Sequence, residues 1–182
     1  ILNAIIGKRF DYPKSLYAVH DVIRFFVANK PNAIIVDFFS GSGTTLHAVN
    51  LLNAEDGGHR RCIMVTNNEV SADEAKMLKD KGYQPGDAEW EKLGIAHYVT
   101  WPRTVCSIKG HDVNGKPLKG DYLGSEPPMH MADGFKANAA FFKLGFLDPT
   151  AVSLGMRFSE MLPTLWLKTG AKGKCPELSG EQ

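Results

Sequence analysis

The chain has 182 residues, enough for one domain with a sizeable buried core, and its 43% hydrophobic and 23% charged residues are values of a globular chain, not a disordered one. A formal net charge of +1 supplies no global basic field, so contact with nucleic acid would have to come from local patches. Cys62, Cys106 and Cys175 are too few and too scattered for a disulfide framework or a zinc site, which suits a reducing cytoplasm; the sequence shows neither a signal peptide nor a run near the roughly 18 apolar residues of a membrane span.

Residues 1–14 read as irregular and end in Phe10-Asp11-Tyr12-Pro13-Lys14, where Pro13 biases Tyr12 toward an extended backbone. Ser15 has the chemistry of an N-cap, and Leu16, Val19, Ile23, Phe26 and Val27 mark one face of a helix ending near Asn29, before Pro31. Ala33–Phe39 is a short apolar, β-branched run bounded by turn signals, the pattern of a parallel strand buried on both faces. It leads into Ser40-Gly41-Ser42-Gly43 and then into a helix over Thr44–Asn53. A strand, a glycine turn and a helix start in succession present outward-facing backbone N–H groups, and glycine lets a ligand approach the main chain. The turn is not a dinucleotide fingerprint, since Leu46 occupies the third glycine position, nor a P-loop, since no lysine follows the glycines.

Arg61–Asn68 reads as a second buried strand with Glu69 at its C-terminal end. In nucleoside-binding α/β folds, an acidic residue roughly 20 or more positions past the glycine loop accepts hydrogen bonds from ribose hydroxyls. Without that context Glu69 is a glutamate opening the next helix, and Val70 is either core or a surface for adenine. Ser71 and Glu74 form a capping box for a helix running to Lys81 and closed by Gly82. Gly86-Asp87 opens a short helix, and Thr100 is expected to cap another over Trp101–Lys109, with Gly110 at its end. Asn114-Gly115 signals a hairpin within residues 111–124. Arg103, Lys109, Lys116 and Lys119 give this region a positive bias, available either to DNA phosphates or simply to solvent. Ala139–Leu147 reads as a further strand. Ala151–Leu167 reads as a helix that Pro163 should kink or break. The six histidines show no metal-ligand spacing. The expected organisation is an α/β core over 1–110, a hairpin, strand and terminal helices on the same domain over 111–170, and a disordered tail over 171–182.

The string Asp37 to Thr45, DFFSGSGTT, resembles the S-adenosylmethionine-binding motif of amino-methylating DNA methyltransferases, usually DPFxGxGTT, with Phe38 in place of proline. With the upstream FDYPKS segment and the VTNNEVS strand end, it is similar to motifs X, I and II of the β-group enzymes of restriction-modification. TNNE and the later GFKANAAFF look closest to large adenine-specific site methyltransferases. The resemblance implies a Rossmann-like S-adenosylmethionine-dependent methyltransferase fold, with only part of its sheet in these residues. It also implies a cofactor site made of Tyr12, Lys14, Ser15, Asp37, Phe39, Gly41, Ser42, Gly43, Thr44, Thr45, Glu69 and Val70.

The family's [DNS]PP[YFW] motif, which stacks the flipped base and bonds its exocyclic amine, does not occur; the sole Pro-Pro is Pro127-Pro128 in EPPM. The chain also begins at Ile1, not methionine. It is therefore expected to be the C-terminal, cofactor-binding part of a longer enzyme that methylates double-stranded DNA at adenine N6, with its catalytic and recognition region upstream, and to be inactive alone. Two rivals are a non-catalytic subunit or remnant that needs a DPPY-bearing partner, and an NAD(P)-dependent oxidoreductase. With few strands available, the isolated piece should also expose an apolar sheet edge.

Overall fold

The computed structural model describes residues 1–171 and 173–178. It divides into two compact units, Ile1–Phe141 and Phe142–Gln182. The first is a mixed α/β unit built on one βαβ element. Strand β1 (Ile34–Asp37) lies parallel to β2 (Arg61–Met64), with Ile34 opposite Arg61 and Asp37 opposite Met64. Helix α3 (Thr44–Asp56) makes the crossover between them. Backbone pairing runs on slightly, through Val65 N–H to Asp37 O and Ser40 N–H to Val65 O, so β2 stops well short of the expected Asn68.

Helix α3 is the centre of the unit. His47, Ala48, Val49, Asn50, Leu51 and Leu52 are all buried, with neighbours on several sides: α2 (Leu16–Val27), β2 and α6 (Trp101–Lys109). Such an all-round buried helix carries no amphipathic stripe. At its far end the buried Arg60 side chain donates to both Asp56 oxygens and to the Val27 and Ala28 carbonyls, tying the C-termini of α3 and α2 together. Its hydrogen bonds hold the Asp56 carboxyl below the usual carboxylate range.

Several elements depart from the sequence expectation. The N-terminal residues are not irregular: Leu2–Ile6 forms helix α1, which packs on α6 and sends Leu2, Ile5 and Ile6 into the main hydrophobic cluster with Leu51, Val99 and Phe135. Five residues are too few for a periodic signal, so packing rather than propensity makes this helix. Helix α2 begins as expected, with Ser15 Oγ accepting from Ala18 N–H, but Phe26 is exposed.

The β1–β2 sheet is not buried on both faces. Ile35, Asp37, Cys62 and Met64 are partly covered, whereas Ile34, Val36 and Ile63 on the alternate positions are exposed. A two-sided apolar strand needs helices on both faces, and among the described residues only one face has them. The sequence predicts an exposed apolar edge on strands buried on both faces; the structure instead exposes an apolar face.

Helix α4 (Ala72–Asp80) has its capping box, with Ser71 Oγ accepting from Glu74 N–H and bonding the Glu74 carboxylate. Helix α5 (Ala88–Leu93) follows Asp87. Thr100 does not cap α6. It ends a π-helical turn, Ala96–Thr100, that runs directly into α6 with helical backbone throughout. The Asn114-Gly115 turn forms, supported by Gly115 N–H to Asp112 O and a bridge between His111 and Pro117. The chain then turns inward: Leu118 and Tyr122 are buried, and β3 (Asp121–Tyr122) pairs antiparallel with β4 (Met129–His130). The strand expected over Ala139–Leu147 does not form; these residues have no regular secondary structure.

The second unit contains α7 (Pro149–Ser153), capped by Asp148, and α8 (Phe158–Lys168). The break falls at Leu154–Arg157, where Gly155 has φ +75°, and Pro163 is accommodated inside α8. Of the expected tail, residues 171 and 173–178 carry no helix or strand, and 172 and 179–182 lie outside the described residues.

Because Ile5 is fully buried against α6 and its carbonyl accepts from Val113 N–H, α1 is part of the core. Ile5→Ala is expected to lower unfolding free energy by about 2–5 kcal/mol, read as a shift of the urea midpoint. A change below about 0.5 kcal/mol would mean that α1 is a loosely attached end.

Candidate functional site: the glycine turn between β1 and α3

The turn is held by its own backbone geometry. Gly41 has φ +48° and Gly43 φ +73°, the left-handed region in which glycine meets no Cβ penalty. Gly43 N–H closes the turn on Ser40 O at 2.8 Å, and Gly43 O accepts from His47 N–H. Asp37 ends β1 and fastens both flanks: one carboxylate oxygen accepts from Thr45 Oγ1 at 2.6 Å, the other from Phe39 N–H at 3.2 Å.

The two glycines do different jobs. A Cβ at Gly43 would meet Thr100 Cγ2 at 3.2 Å and Met64 Cε at 3.7 Å, so this residue faces the protein. A Cβ at Gly41 would meet nothing closer than Phe39 O at 4.0 Å, so this residue faces open space. Among the described residues nothing accepts from the N–H groups of Gly41, Ser42, Thr44 or Thr45.

Beneath the turn lies a cation that the sequence reading placed elsewhere. Arg103, grouped there with the solvent-facing or DNA-facing lysines, is only 2% exposed. Its Nη1 donates to Thr44 Oγ1 at 2.7 Å, Ser42 O at 3.1 Å and Ser42 Oγ at 3.2 Å, and its Nε donates to His47 Nδ1 at 3.4 Å. The hydroxyls of Ser42 and Thr44 and the Ser42 carbonyl therefore turn toward Arg103, while the N–H groups of both residues stay unused among the described residues. Since His47 Nδ1 accepts from Arg103, the proton of the neutral ring sits on Nε2, which donates to Tyr122 Oη at 2.9 Å. Burial, and then the Arg103 charge, drive the His47 pKa down to about 3. Burial also lowers Arg103 to about 10, which leaves it protonated at neutral pH. It pushes the Tyr122 phenol above its usual value. In α6 Arg103 lies with Thr104, Cys106 and Ser107 among the buried residues, a placement that local sequence does not signal.

The remaining expected site residues fall into two groups. Lys14 and Ser15 line a groove of about 550 Å³ with Ala18, Val19, Val22 and Thr45, so the YPKS segment and the end of the glycine turn share one surface. Tyr12 and Phe39, 90% and 91% exposed, stand outside that lining. Glu69 and Val70 follow β2 as Asp37 and the turn follow β1; with the strands parallel, both lie beyond the same end of the sheet. The Glu69 side chain is exposed and accepts from Asn67 Nδ2 at 3.5 Å, and its carbonyl accepts from Ile95 N–H at 2.9 Å. Neither Glu69 nor Val70 borders the Lys14 groove. Among the described residues no cluster of three or more His, Cys, Asp or Glu stands ready for a metal ion.

The structure thus sets a glycine turn between parallel strands, an acidic residue beyond the second strand and a YPKS segment beside the turn, and comparison with known proteins gives the family. Residues 3–103 match the profile of the N6/N4 DNA methylases, described as DNA methylase, and the chain belongs to that family. It is 38% identical over 197 aligned residues to the StyLTI Mod subunit of a type III restriction-modification enzyme from Salmonella typhimurium, covering 92% of this chain and 28% of that protein. It is 48% identical over 68 residues to the type II methyltransferase M.KpnI of Klebsiella pneumoniae (37% of this chain, 16% of that protein). Over another 68-residue alignment it is 37% identical to the EcoPI Mod subunit of Escherichia phage P1 (37% of this chain, 10% of that protein). The chain thus spans less than a third of the curated relatives it matches.

His47 makes the turn's support sensitive to acid. Its folded pKa lies below the unfolded value of about 6.5, so its contribution to stability is present above that value and is lost as pH falls toward about 3. His130 acts in the opposite window: its pKa is raised by Asp121, and its contribution fades as pH rises above its unfolded value. Melting temperature is expected to fall between pH 7 and pH 5, and His47→Gln should flatten that slope. An equal slope in the two proteins would show that His47 is not the group being titrated.

Proposed function

We propose that this chain is the S-adenosylmethionine-binding part of a site-specific DNA methyltransferase that modifies adenine N6, working as part of a Mod-type subunit of a restriction-modification enzyme inside the cell. The alignment with the StyLTI Mod subunit along nearly the whole chain supports the Mod-type reading. Among the described residues no helix is long and apolar enough to cross a membrane.

The observation that carries the cofactor assignment is the turn itself: unused N–H groups beside a glycine whose outer side is open, adjoining a groove that Thr45 shares with Lys14 and Ser15. That groove is of the size of small-molecule sites, so the residues present fit the cofactor. Lys14 and Ser15 would hold its methionine end, the backbone from Gly41 to Thr45 its middle, Glu69 the ribose hydroxyls and Val70 one face of the adenine. Tyr12 and Phe39 are exposed beside these groups and would close over the ligand. When bound, the cofactor supplies a methyl group on a sulfonium as electrophile for a base amine. This chain's residues contribute orientation, the main source of rate in a direct transfer between two held groups. No residue here is assigned as general base.

The target base would be held by the [DNS]PP[YFW] motif that these residues lack, so catalysis requires a further portion of the enzyme. The exposed Ile34, Val36 and Ile63 face of the sheet accords with a neighbour being needed there. The same face favours a second reading, in which that portion is a separate subunit.

Two measurements test the proposal. In the full-length methyltransferase, Glu69→Gln is expected to weaken S-adenosylmethionine binding by roughly tenfold or more, the loss of a charge-assisted hydrogen bond of about 1.5–3 kcal/mol; a change under about twofold would remove Glu69 from the site. Residues 1–182 alone are expected to transfer no labelled methyl group to unmodified DNA, and the complete enzyme to do so. Robust transfer by the short chain would mean that a catalytic site lies within it.

A further inference from the structure

The segment from Glu91 to Arg103, together with Asn68, touches both halves of the candidate site. At one end Asn68 Oδ1 accepts from Ala96 N–H at 3.1 Å and His97 N–H at 3.3 Å, while its Nδ2 donates to Glu91 O and Glu91 Oε2. Next to it, Ile95 N–H bonds the carbonyl of Glu69. At the other end Thr100 Oγ1 donates to Gly41 O, and Arg103 Nη1 donates to Ser42 O. The π-helical turn Ala96–Thr100 joins these two sets of contacts, and such turns concentrate at functional positions.

The contacts to the glycine turn are made to carbonyl oxygens, and this fixes more than the carbonyls. In a trans peptide the C=O and the following N–H point in opposite directions. With Gly41 O drawn inward by Thr100, Ser42 N–H is turned outward. With Ser42 O, Ser42 Oγ and Thr44 Oγ1 all drawn onto one buried guanidinium, the start of α3 cannot rotate about its left-handed Gly43. Among the described residues Arg103 has no carboxylate partner; every acceptor it uses is a neutral group of the turn or His47. A buried cation whose acceptors are concentrated in one loop ties its own solvation to the shape of that loop.

We infer that Arg103, together with Thr100, is a positioning residue for cofactor binding: it holds the peptides of the glycine turn in the orientation that faces the ligand and couples them, through the π-helical turn, to the backbone of Glu69. The inference rests on the glycine turn being the cofactor site. It predicts that cofactor affinity depends on Arg103 and Thr100 although neither side chain would touch the ligand.

The test uses the full-length methyltransferase, with S-adenosylmethionine titrated calorimetrically and DNA binding and melting temperature measured alongside. Thr100→Val preserves shape and removes the hydroxyl that bonds Gly41 O and Ile95 O. It is expected to weaken cofactor binding about fivefold while DNA affinity and melting temperature stay close to wild type. Arg103→Met should weaken cofactor binding by tenfold or more, and Arg103→Lys, which retains a charged donor, should recover part of that loss. Should Arg103→Met fail to fold, Thr100→Val and Arg103→Lys still decide the matter. Cofactor affinity within twofold of wild type in Thr100→Val and Arg103→Lys would overturn the inference, as would losses of DNA binding and thermal stability in Thr100→Val that parallel its loss of cofactor binding. If wild-type enzyme itself binds no cofactor, or binds it undiminished when Gly41→Val blocks the open side of the turn, the assignment of the turn fails rather than the role of Arg103.

Discussion

The buried Arg103 guanidinium is the constraint on which this fold most depends. A cation taken out of water loses several kcal/mol of hydration unless other groups replace it, and here the replacement comes from Ser42, Thr44 and His47. The lowered pKa of about 10 measures that burial and still leaves the charge in place. Loop, helix start and aromatic cluster are consequently one unit: His47 reaches Tyr122, and both rings pack edge-on or tilted against Phe135. Loosening any one of them would leave a charged or polar group unsatisfied in the interior, which costs more than the bond itself contributes.

This explains why residues from 111 to 135 have a part in supporting the turn. Read alone, they suggest a soluble hairpin with basic residues. Lys109, Lys116 and Lys119 are indeed exposed, but Leu118, Tyr122, Met131 and Phe135 belong to the same cluster as α1 and α3. The distal segment packs with Ala48 and Leu51 of α3, and Tyr122 bonds His47. Local composition around Asn114-Gly115 describes the turn and says nothing of what the flanking residues pack on.

What was legible in the sequence is what local chemistry decides. Ser15 and Ser71 as caps, the glycine turn after β1 and the crossover helix follow from hydrogen-bonding capacity and from backbone freedom. Gly41 and Gly43 were legible as turn residues because their backbone favours glycine, whereas Asp37 and Thr45 entered through the resemblance to the methyltransferase motif. What was not legible depends on contacts distant in sequence. Arg103 and Ser42 are 61 positions apart, and an arginine has the same local signature whether it faces water or a loop carbonyl. Helix α1 is too short to announce itself. Phe141, Phe142, Leu144 and Phe146 have strand-like composition but no pairing partner among the described residues, and a strand without a partner does not form.

The π-helical turn at Ala96–Thr100 has a consequence for how this region can vary. A π turn accommodates one residue more than an α turn, and each residue of an α-helix advances its successors by about 100° around the axis. Loss of a single residue within Ala96–Thr100 would regularise the turn and swing the guanidinium about a quarter of the way round α6, away from Ser42 and Thr44. Thr100 apart, the identity of the side chains in this turn matters less than their number. Natural variants of this segment are accordingly expected to accept substitutions while conserving its length, so that an alignment gap here would be the clearest mark of a relative whose glycine turn is held in some other way.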